Sequence, residues 1–346
     1  MTDRTTKTTR TKATHSTRAA APDVSEDLTA GLATTAARDP DTAPPSGPGT
    51  ARTGPPWTVW PALGGALVLW ASAFVGIKAT LHDFGPGPMA LLRFLIASLA
   101  VLVVWVVTSR LRRTPLRLPA RGDVPLLLLC SLLLIVIYNL GVNFGEQTVS
   151  SGTTSFLVGQ VPVFSAVLAA AILRERVAVL GWVGIAVGVA GTVVMLYADQ
   201  AGLQINAGAL YVLGAALAES LYFVLSKPLL RKYGPTELNV FVTVPGTLMM
   251  LPFLGALTRD LTDASAGSVL VMVYLGVFPA AVAYLLWNHA LSQLDVGTTT
   301  SALYVLPVVT VVISFLVLGE LPGAFGLVGG LVALAGAVLV NTKRAR

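Results

Sequence analysis

The stretch from roughly Gly141 to Tyr197 reappears, without a gap, between about Trp287 and Asn341. With Gly152-Thr153-Thr154 set over Gly297-Thr298-Thr299, Pro162-Val163 falls on Pro307-Val308 and Glu175 on Glu320, while Gly181, Gly184 and Gly191 fall on Gly326, Gly329 and Gly336. Asn143 lands on Asn288 in the same register. With a shift of a few residues, Lys78 matches Lys227 and Phe84-Gly85-Pro86 matches Tyr233-Gly234-Pro235. A chain that carries the same strongly apolar unit twice is constrained to build one body from two homologous halves.

The solvent of that body is lipid. Hydrophobic residues make up 54% of the chain and charged residues 12%, against about 25% charged in soluble proteins. Most of the charge lies in the first fifty-odd residues and in short loops, so the net +6 requires no nucleic acid as partner. Cys130 is the only cysteine, which leaves no intramolecular disulfide, Cys-based metal site or redox pair. Residues 1-56 are rich in Thr, Ala, Pro, Asp and Arg and contain no apolar run of signal-peptide length. They are expected to form a disordered cytoplasmic tail, and their near balance of charge argues against a polybasic membrane clamp.

From Trp57 onward, apolar stretches near the roughly 20 residues a helix needs to cross the hydrocarbon core alternate with short polar breaks. Ten spans are expected, at about 58-79, 87-107, 124-144, 151-173, 178-197, 208-227, 238-257, 268-291, 297-318 and 323-341. Helices satisfy their own backbone hydrogen bonds, which lipid cannot do. A transmembrane barrel would alternate apolar and polar residues, and runs such as Leu126-Leu127-Leu128-Leu129 do not. The expected fold class is an all-α integral membrane protein.

With ten spans, Arg110, Arg112, Arg113, Arg117, Arg121, Arg174, Arg176, Lys227, Arg231, Lys232 and the terminal Lys343, Arg344 and Arg346 fall on one side. The positive-inside rule makes that side the cytoplasm, with both termini there and the protein multi-pass in a cell (inner or plasma) membrane. Loops near His82-Asp83, Glu146-Gln147, Asp199-Gln200 and Gly319-Glu320 fall opposite, as does Thr258-Arg259-Asp260 with its one arginine. The first half comprises residues 57-197 and the second 198-346. Each holds five spans, an odd number, so the second enters the membrane upside down. Inverted repeats that exchange shapes give outward-open and inward-open states around one central site, which is alternating access.

The Trp70-Ala71-Ser72-Ala73-Phe74 opening helix, Arg93 in the second span, the Pro162 and Pro307 helices, and Glu175 and Glu320 at their ends together resemble the EamA family of the drug/metabolite transporter superfamily. The resemblance covers residues 60 to 341. It implies a carrier, often outward-directed, of amino acids, other small metabolites or drug-like compounds. Glu219 departs from the pattern, because alignment to the first half gives it the place of Trp70.

Glu219 sits in mid-helix between Ala218 and Ser220, where an ionisable group costs about 2.5–3.5 kcal/mol on insertion scales and faces a cavity or partner. It is the candidate proton carrier; the plainer role is to pin helices together. Arg93 lies a turn or two inside its span, where it either snorkels toward the interface or holds an anionic group such as a substrate carboxylate through a bidentate pair. Asn143, Gln160, Asn288 and His289, with Tyr138, Tyr222, Tyr284 and Tyr304, supply uncharged polar groups and ring faces suited to a weakly polar or zwitterionic small molecule. Asn143 and Asn288, matched in both halves, suit helix packing. Gln160 faces Val305 in the alignment, so it breaks the symmetry and is the better ligand candidate. Pro162 and Pro307 are placed in mid-helix, as hinges or as shapers of a static wall. The ladder Gly181, Gly184, Gly188 and Gly191 permits close helix contact, within the chain or in a homodimer. Glu175 and Glu320 read as structural, stabilised by a neighbouring helix N-terminus.

No catalytic residues, metal ligands or cofactor are expected. The chain lacks a phosphate-binding Gly-Lys-Ser/Thr loop and a His-Glu-x-x-His pair, and His15, His82 and His289 are scattered. That weakens an intramembrane enzyme as the alternative. Rings of like charge for a channel are also missing, and a scaffold has no use for inverted repeats. Without a nucleotide site, transport is passive, an exchange, or driven by an ion gradient.

Overall fold

The computed structural model describes residues 57–113, 118–173, 179–195, 197 and 206–341, all within one compact unit, Gly54–Arg346. The expectations for residues 1-56, Arg117, Arg174, Glu175, Arg176, Asp199-Gln200, Lys343, Arg344 and Arg346 lie outside the described residues.

Every regular element among the described residues is helical. In chain order they are α1 (Val59–Thr80), α2 (Pro86–Arg112), α3 (Val124–Ser131), a π-helical segment (Leu132–Tyr138), α4 (Asn139–Gly145), α5 (Ser151–Val158), α6 (Val161–Leu173), α7 (Val179–Met195) and α8 (Ala207–Met249). There follow α9 (Leu254–Asp263), α10 (Ala266–Val277), a second π-helical segment (Phe278–Val282), α11 (Ala283–Gln293), α12 (Val296–Ser301), α13 (Leu306–Leu318) and α14 (Ala324–Asn341). Short 3₁₀ turns precede α3, α9 and α13.

Among the described residues, seven helical stretches are long and apolar enough to cross a membrane, and Leu180–Met195 and Ala324–Gly336 form two shorter apolar helices. The 43-residue α8 contains the sixth expected span and the first part of the seventh, 238–249, separated by Gly234 in the left-handed region at φ 76°; the rest of the seventh falls in the following 3₁₀ turn and α9. Glycine adopts that conformation without steric penalty, and Pro235 after it restarts the helix. Large apolar side chains such as Leu99, Val308, Leu316 and Leu331 project from the surface, the signature of a body whose solvent is hydrocarbon.

The paired prolines sit differently from the sequence expectation. The fourth and ninth spans are each broken just before the proline, at Gly159-Gln160 and at the 3₁₀ turn Ala302–Val305. Pro162 and Pro307 are then the second residues of α6 and α13. A first-turn proline forfeits no helical hydrogen bond, because that N–H has no intrahelical partner in any case. The break precedes the ring because a proline further inside a helix has no N–H to donate and its ring clashes with the carbonyl four residues back; Leu306, just before Pro307, keeps helical backbone at φ −54° and ψ −49°.

The glycine ladder is used inside the chain, where α7 and α14 pack along much of their length. A Cβ on Gly191 would lie 2.4 Å from the Ala333 nitrogen and 2.5 Å from the Gly329 oxygen, and one on Gly336 would lie 2.3 Å from the Gly188 nitrogen. These neighbours are backbone and cannot turn aside. Gly191→Ala is therefore expected to destabilise by about 1–3 kcal/mol through overpacking. Gly214→Ala, where a Cβ meets nothing within 4 Å, should be neutral or slightly stabilising by helix propensity. Thermal unfolding in detergent separates the two.

Polar clasps tie the halves together at both ends of the bundle. Beyond the end of α1, Asp83 accepts from the Ser265 N–H at 3.0 Å and its hydroxyl at 2.9 Å, and Asp260 accepts from the Gly85 N–H at 2.9 Å. Hydrogen bonding by the Ser268 hydroxyl, then by Ser265, lowers the Asp83 carboxyl to about 2. At the other end Asp123 pairs with Lys232 at 2.5 Å and accepts from the Tyr233 hydroxyl, which itself accepts from the Ala120 N–H at 2.9 Å.

Candidate functional site

The two π-helical segments occupy equivalent places in the two halves, and between them lies a cleft. A π turn takes an extra residue per turn, frees a carbonyl and re-aims the side chains that follow, so such segments concentrate at functional sites. Here the freed backbone is met by amides. Asn139 Nδ2 donates to the Leu134 carbonyl at 2.8 Å, and Asn239 Nδ2 donates to the Ala281 carbonyl at 3.2 Å.

The cleft is narrow, with a cavity volume of about 20 Å³. Trp70, Ala73, Phe74 and Ile77 from α1 line it, with Arg93 from α2, Tyr138, Asn139 and Val142 around the first π segment, and Pro279 and Tyr284 around the second. Trp70 is fixed on three sides. Its indole N–H donates to the Pro279 carbonyl at 3.2 Å, and its ring lies 5.2 Å from Tyr284 and 4.9 Å from Trp287. Such aromatic contacts contribute about 0.5–1.5 kcal/mol each beyond burial.

Among the described residues, Arg93 is the one charged side chain lining the cleft. It is 4% exposed, so it does not snorkel to an interface. Its two terminal nitrogens reach Asn143 Oδ1 and Asn139 Oδ1, each at 3.5 Å, the far limit for a hydrogen bond. Among the described residues its Nε has no partner. Glu146 lies within electrostatic reach, yet among the described residues no carboxylate is within ion-pair distance of Arg93. Guanidinium does not shed its proton in proteins. What the cleft presents is a buried, permanently charged fork met by two distant amides and by the Phe94 ring, whose centroid lies 5.8 Å away.

Glu219 is 2% exposed and its Oε2 lacks a partner. It is not among the lining residues but stands within electrostatic reach of two that are, Tyr138 and Tyr284. Arg93 reaches the same two tyrosines from the other side of the charge balance. One acid and one base thus share a pair of phenols in the middle of the bundle.

The remaining sequence candidates lie outside the lining. Asn143 is a brace: its amide donates to the Pro86 carbonyl at 2.9 Å while its oxygen faces Arg93. Asn288 accepts from the Tyr222 hydroxyl at 3.5 Å, and both are buried. Gln160 donates to the Phe156 carbonyl at 3.4 Å at the α5–α6 break. Tyr304 packs on Val163 and Ala166. Sequence reasoning missed Asn139, whose place four residues before Asn143 puts both amides on one helical face, and it missed the π segments altogether.

The sequence profile described as the EamA-like transporter family matches residues 59–197 and again 206–342. An uncharacterized transporter, YdfC, of Bacillus subtilis is 35% identical over 80% of this chain and 88% of its own length. A Streptantibioticus cattleyicolor protein named "probable terminal-alkyne amino-acid exporter" is 34% identical over 82% of this chain and 93% of its own. One solved crystal structure, 20% identical with a TM-score of 0.59, shares the fold over 84% of this chain and 99% of that one. With an apolar all-helical body and the family's domain present twice, this chain belongs to the EamA-like transporter family and is a multi-pass membrane transporter rather than an enzyme.

Proposed function

We propose that the chain is a secondary transporter that exports a small organic solute bearing a carboxylate, an amino acid or a close relative, by alternating access and in exchange for protons. The observation that carries this reading is Arg93. A buried cation that cannot neutralise itself is costly until an anion meets it, and a planar fork favours a carboxylate held by two parallel bonds. Trp70, Tyr138 and Tyr284 supply apolar walls and ring faces for the rest of the solute, with Asn139 beside the guanidinium. The amino-acid exporter among the relatives points to the same substrate class. Tyr222, Asn143, Asn288, Gln160 and Tyr304 shape and brace the surrounding helices, and the breaks before Pro162 and Pro307 are the hinges.

Ten crossings in two inverted sets of five fit the helices once α8 is divided at Gly234. The basic residues Arg110, Arg113, Arg121, Arg231 and Lys232 gather at the Asp123 end, which supports a cytoplasmic placement for that end and for both termini. The body sits in the cell membrane.

Flux of labelled amino acids and of their decarboxylated amines in proteoliposomes tests the proposal. Saturable flux of the acids and none of the amines is expected. Equal flux of both would remove the carboxylate from the recognition.

A further inference from the structure

Lys78 and Lys227, matched by the sequence repeat, make matched contacts. Lys78 Nζ donates to the carbonyls of Glu146 at 2.7 Å and Val149 at 3.1 Å. Lys227 Nζ donates to the carbonyls of Leu291 and Leu294. In the register that sets Asn143 over Asn288, Glu146 falls on Leu291 and Val149 on Leu294. Each ammonium therefore leaves the first long helix of its half and grips the junction that joins the π-containing span to the following broken span: α4 to α5 in the first half, α11 to α12 in the second.

The two grips lie at opposite ends of the body. Thr58, just before α1, contacts His289 at 3.4 Å, beside Leu291. Lys78 is about 20 residues further along α1, about 30 Å away at the helical rise. Both side chains are half-buried, and each ammonium, a compact charge with three donors, is aimed at main chain rather than at a carboxylate. A cation on carbonyls near a helix C-terminus is stabilised by the helix dipole.

We propose that Lys78 and Lys227 are paired positioning residues, each latching one end of the transport path closed, so that opening toward an end requires releasing the lysine at that end. This rests on the alternating-access reading. The junctions they hold lead through α5 and α12 into the breaks at Gly159-Gln160 and Ala302–Val305, where the wall of the path can bend; the Lys78 latch ties that wall to α1, which lines the cleft, and the Lys227 latch ties its counterpart to α8. The chemistry differs between the halves in one respect: Glu146, with both carboxylate oxygens unpartnered, lies close to Lys78 and Glu320, whereas Leu291 holds the equivalent place beside Lys227. Either loss of the Lys78 charge strands Glu146, and glutamine, which keeps a hydrogen-bond donor toward the carbonyls where methionine keeps none, is the companion substitution at both sites.

The test uses labelling of a reporter cysteine, Ala73→Cys in the cleft, with a membrane-impermeant maleimide applied from each side of full-length protein in oriented membranes. Cys130 is fully buried, so protein without the reporter gives the blank. Two charge-assisted hydrogen bonds are lost per latch, so Lys78→Met should raise the ratio of labelling from the Lys78 end to labelling from the Lys227 end by about tenfold. Lys227→Met should lower it by about tenfold. Lys78→Gln and Lys227→Gln should move it in the same two directions by less, and they decide the matter if the methionine variants are not monodisperse on gel filtration. A structural cap would reduce stability without opposed shifts. Shifts in one common direction, or no shift in protein labelled from both ends with its lysines intact, overturn the latches and leave alternating access standing. Labelling from one end only, in every variant, overturns both.

Discussion

Arg93→Met is expected to reduce saturable amino-acid flux by at least about a hundredfold while leaving the folded protein as stable as before, or more so. Two charge-assisted hydrogen bonds to a carboxylate contribute about 1.5–3 kcal/mol each, and about 3 kcal/mol in all is about a hundredfold in affinity. The stability half of the expectation is the discriminating one. In the structure the guanidinium has two amide contacts at 3.5 Å, the Phe94 ring centroid 5.8 Å away and, among the described residues, no partner for its Nε. Exchanging such a cation for an apolar chain of similar length removes a desolvation penalty. A guanidinium that merely held α2 to α4 would behave in the opposite way, with folded yield and thermal midpoint falling together with flux. Arg93→Lys is expected to recover little, because a point charge on a shorter reach does not reproduce the planar fork. Flux in proteoliposomes and thermal unfolding in detergent, measured on the same preparations, separate the two roles.

How far the site could be read from the sequence follows from which physical signals survive in a lipid-solvated chain. Charge survives best. Arg93 and Glu219 stand out because ionisable groups are rare in such helices, and both lie in or behind the cleft. Repetition also survives, so Asn143 over Asn288 and Lys78 over Lys227 could be aligned, although the lysine contacts appear only in three dimensions. Periodicity does not survive. In Leu132-Leu133-Leu134-Ile135-Val136-Ile137 every position is apolar, so no amphipathic stripe reports whether the turn has 3.6 residues or more, and the π segment is invisible. Tyr138 and Asn139 owe their aim into the cleft to that segment. Without it, Tyr222 and Tyr304 look equally good candidates, yet the structure sets them in helix packing. Gln160 was singled out for lacking a polar counterpart, but asymmetry in sequence says nothing of direction, and its side chain turns back to α5.

The second large effect concerns coupling. Glu219→Gln is expected to abolish stimulation of flux by a pH gradient while leaving flux without a gradient largely intact. Glu219 occupies the place that Trp70 holds in the other half, so a proton-binding group there breaks the equivalence of the two halves. Glutamine keeps the shape and a hydrogen-bonding oxygen but cannot take up or release a proton. The acid is buried at 2% exposure, with Oε2 unpartnered, and it shares Tyr138 and Tyr284 with Arg93. Charge on Glu219 and charge on a carboxylate held by Arg93 would therefore be felt at the same two phenols, and one anion disfavours the other in a low-dielectric interior. That is the physical content of exchange: substrate binding favours the protonated acid, and substrate release favours the ionised one. One pH unit is worth about 1.4 kcal/mol per proton, so a one-unit gradient, acid on the side opposite the substrate, should speed or concentrate one-for-one exchange by up to about tenfold in the unaltered protein and not at all in Glu219→Gln. Gradient stimulation that persists in the variant would move the proton to another group, and the buried, unpartnered Glu146 at the Lys78 end would be the next to test.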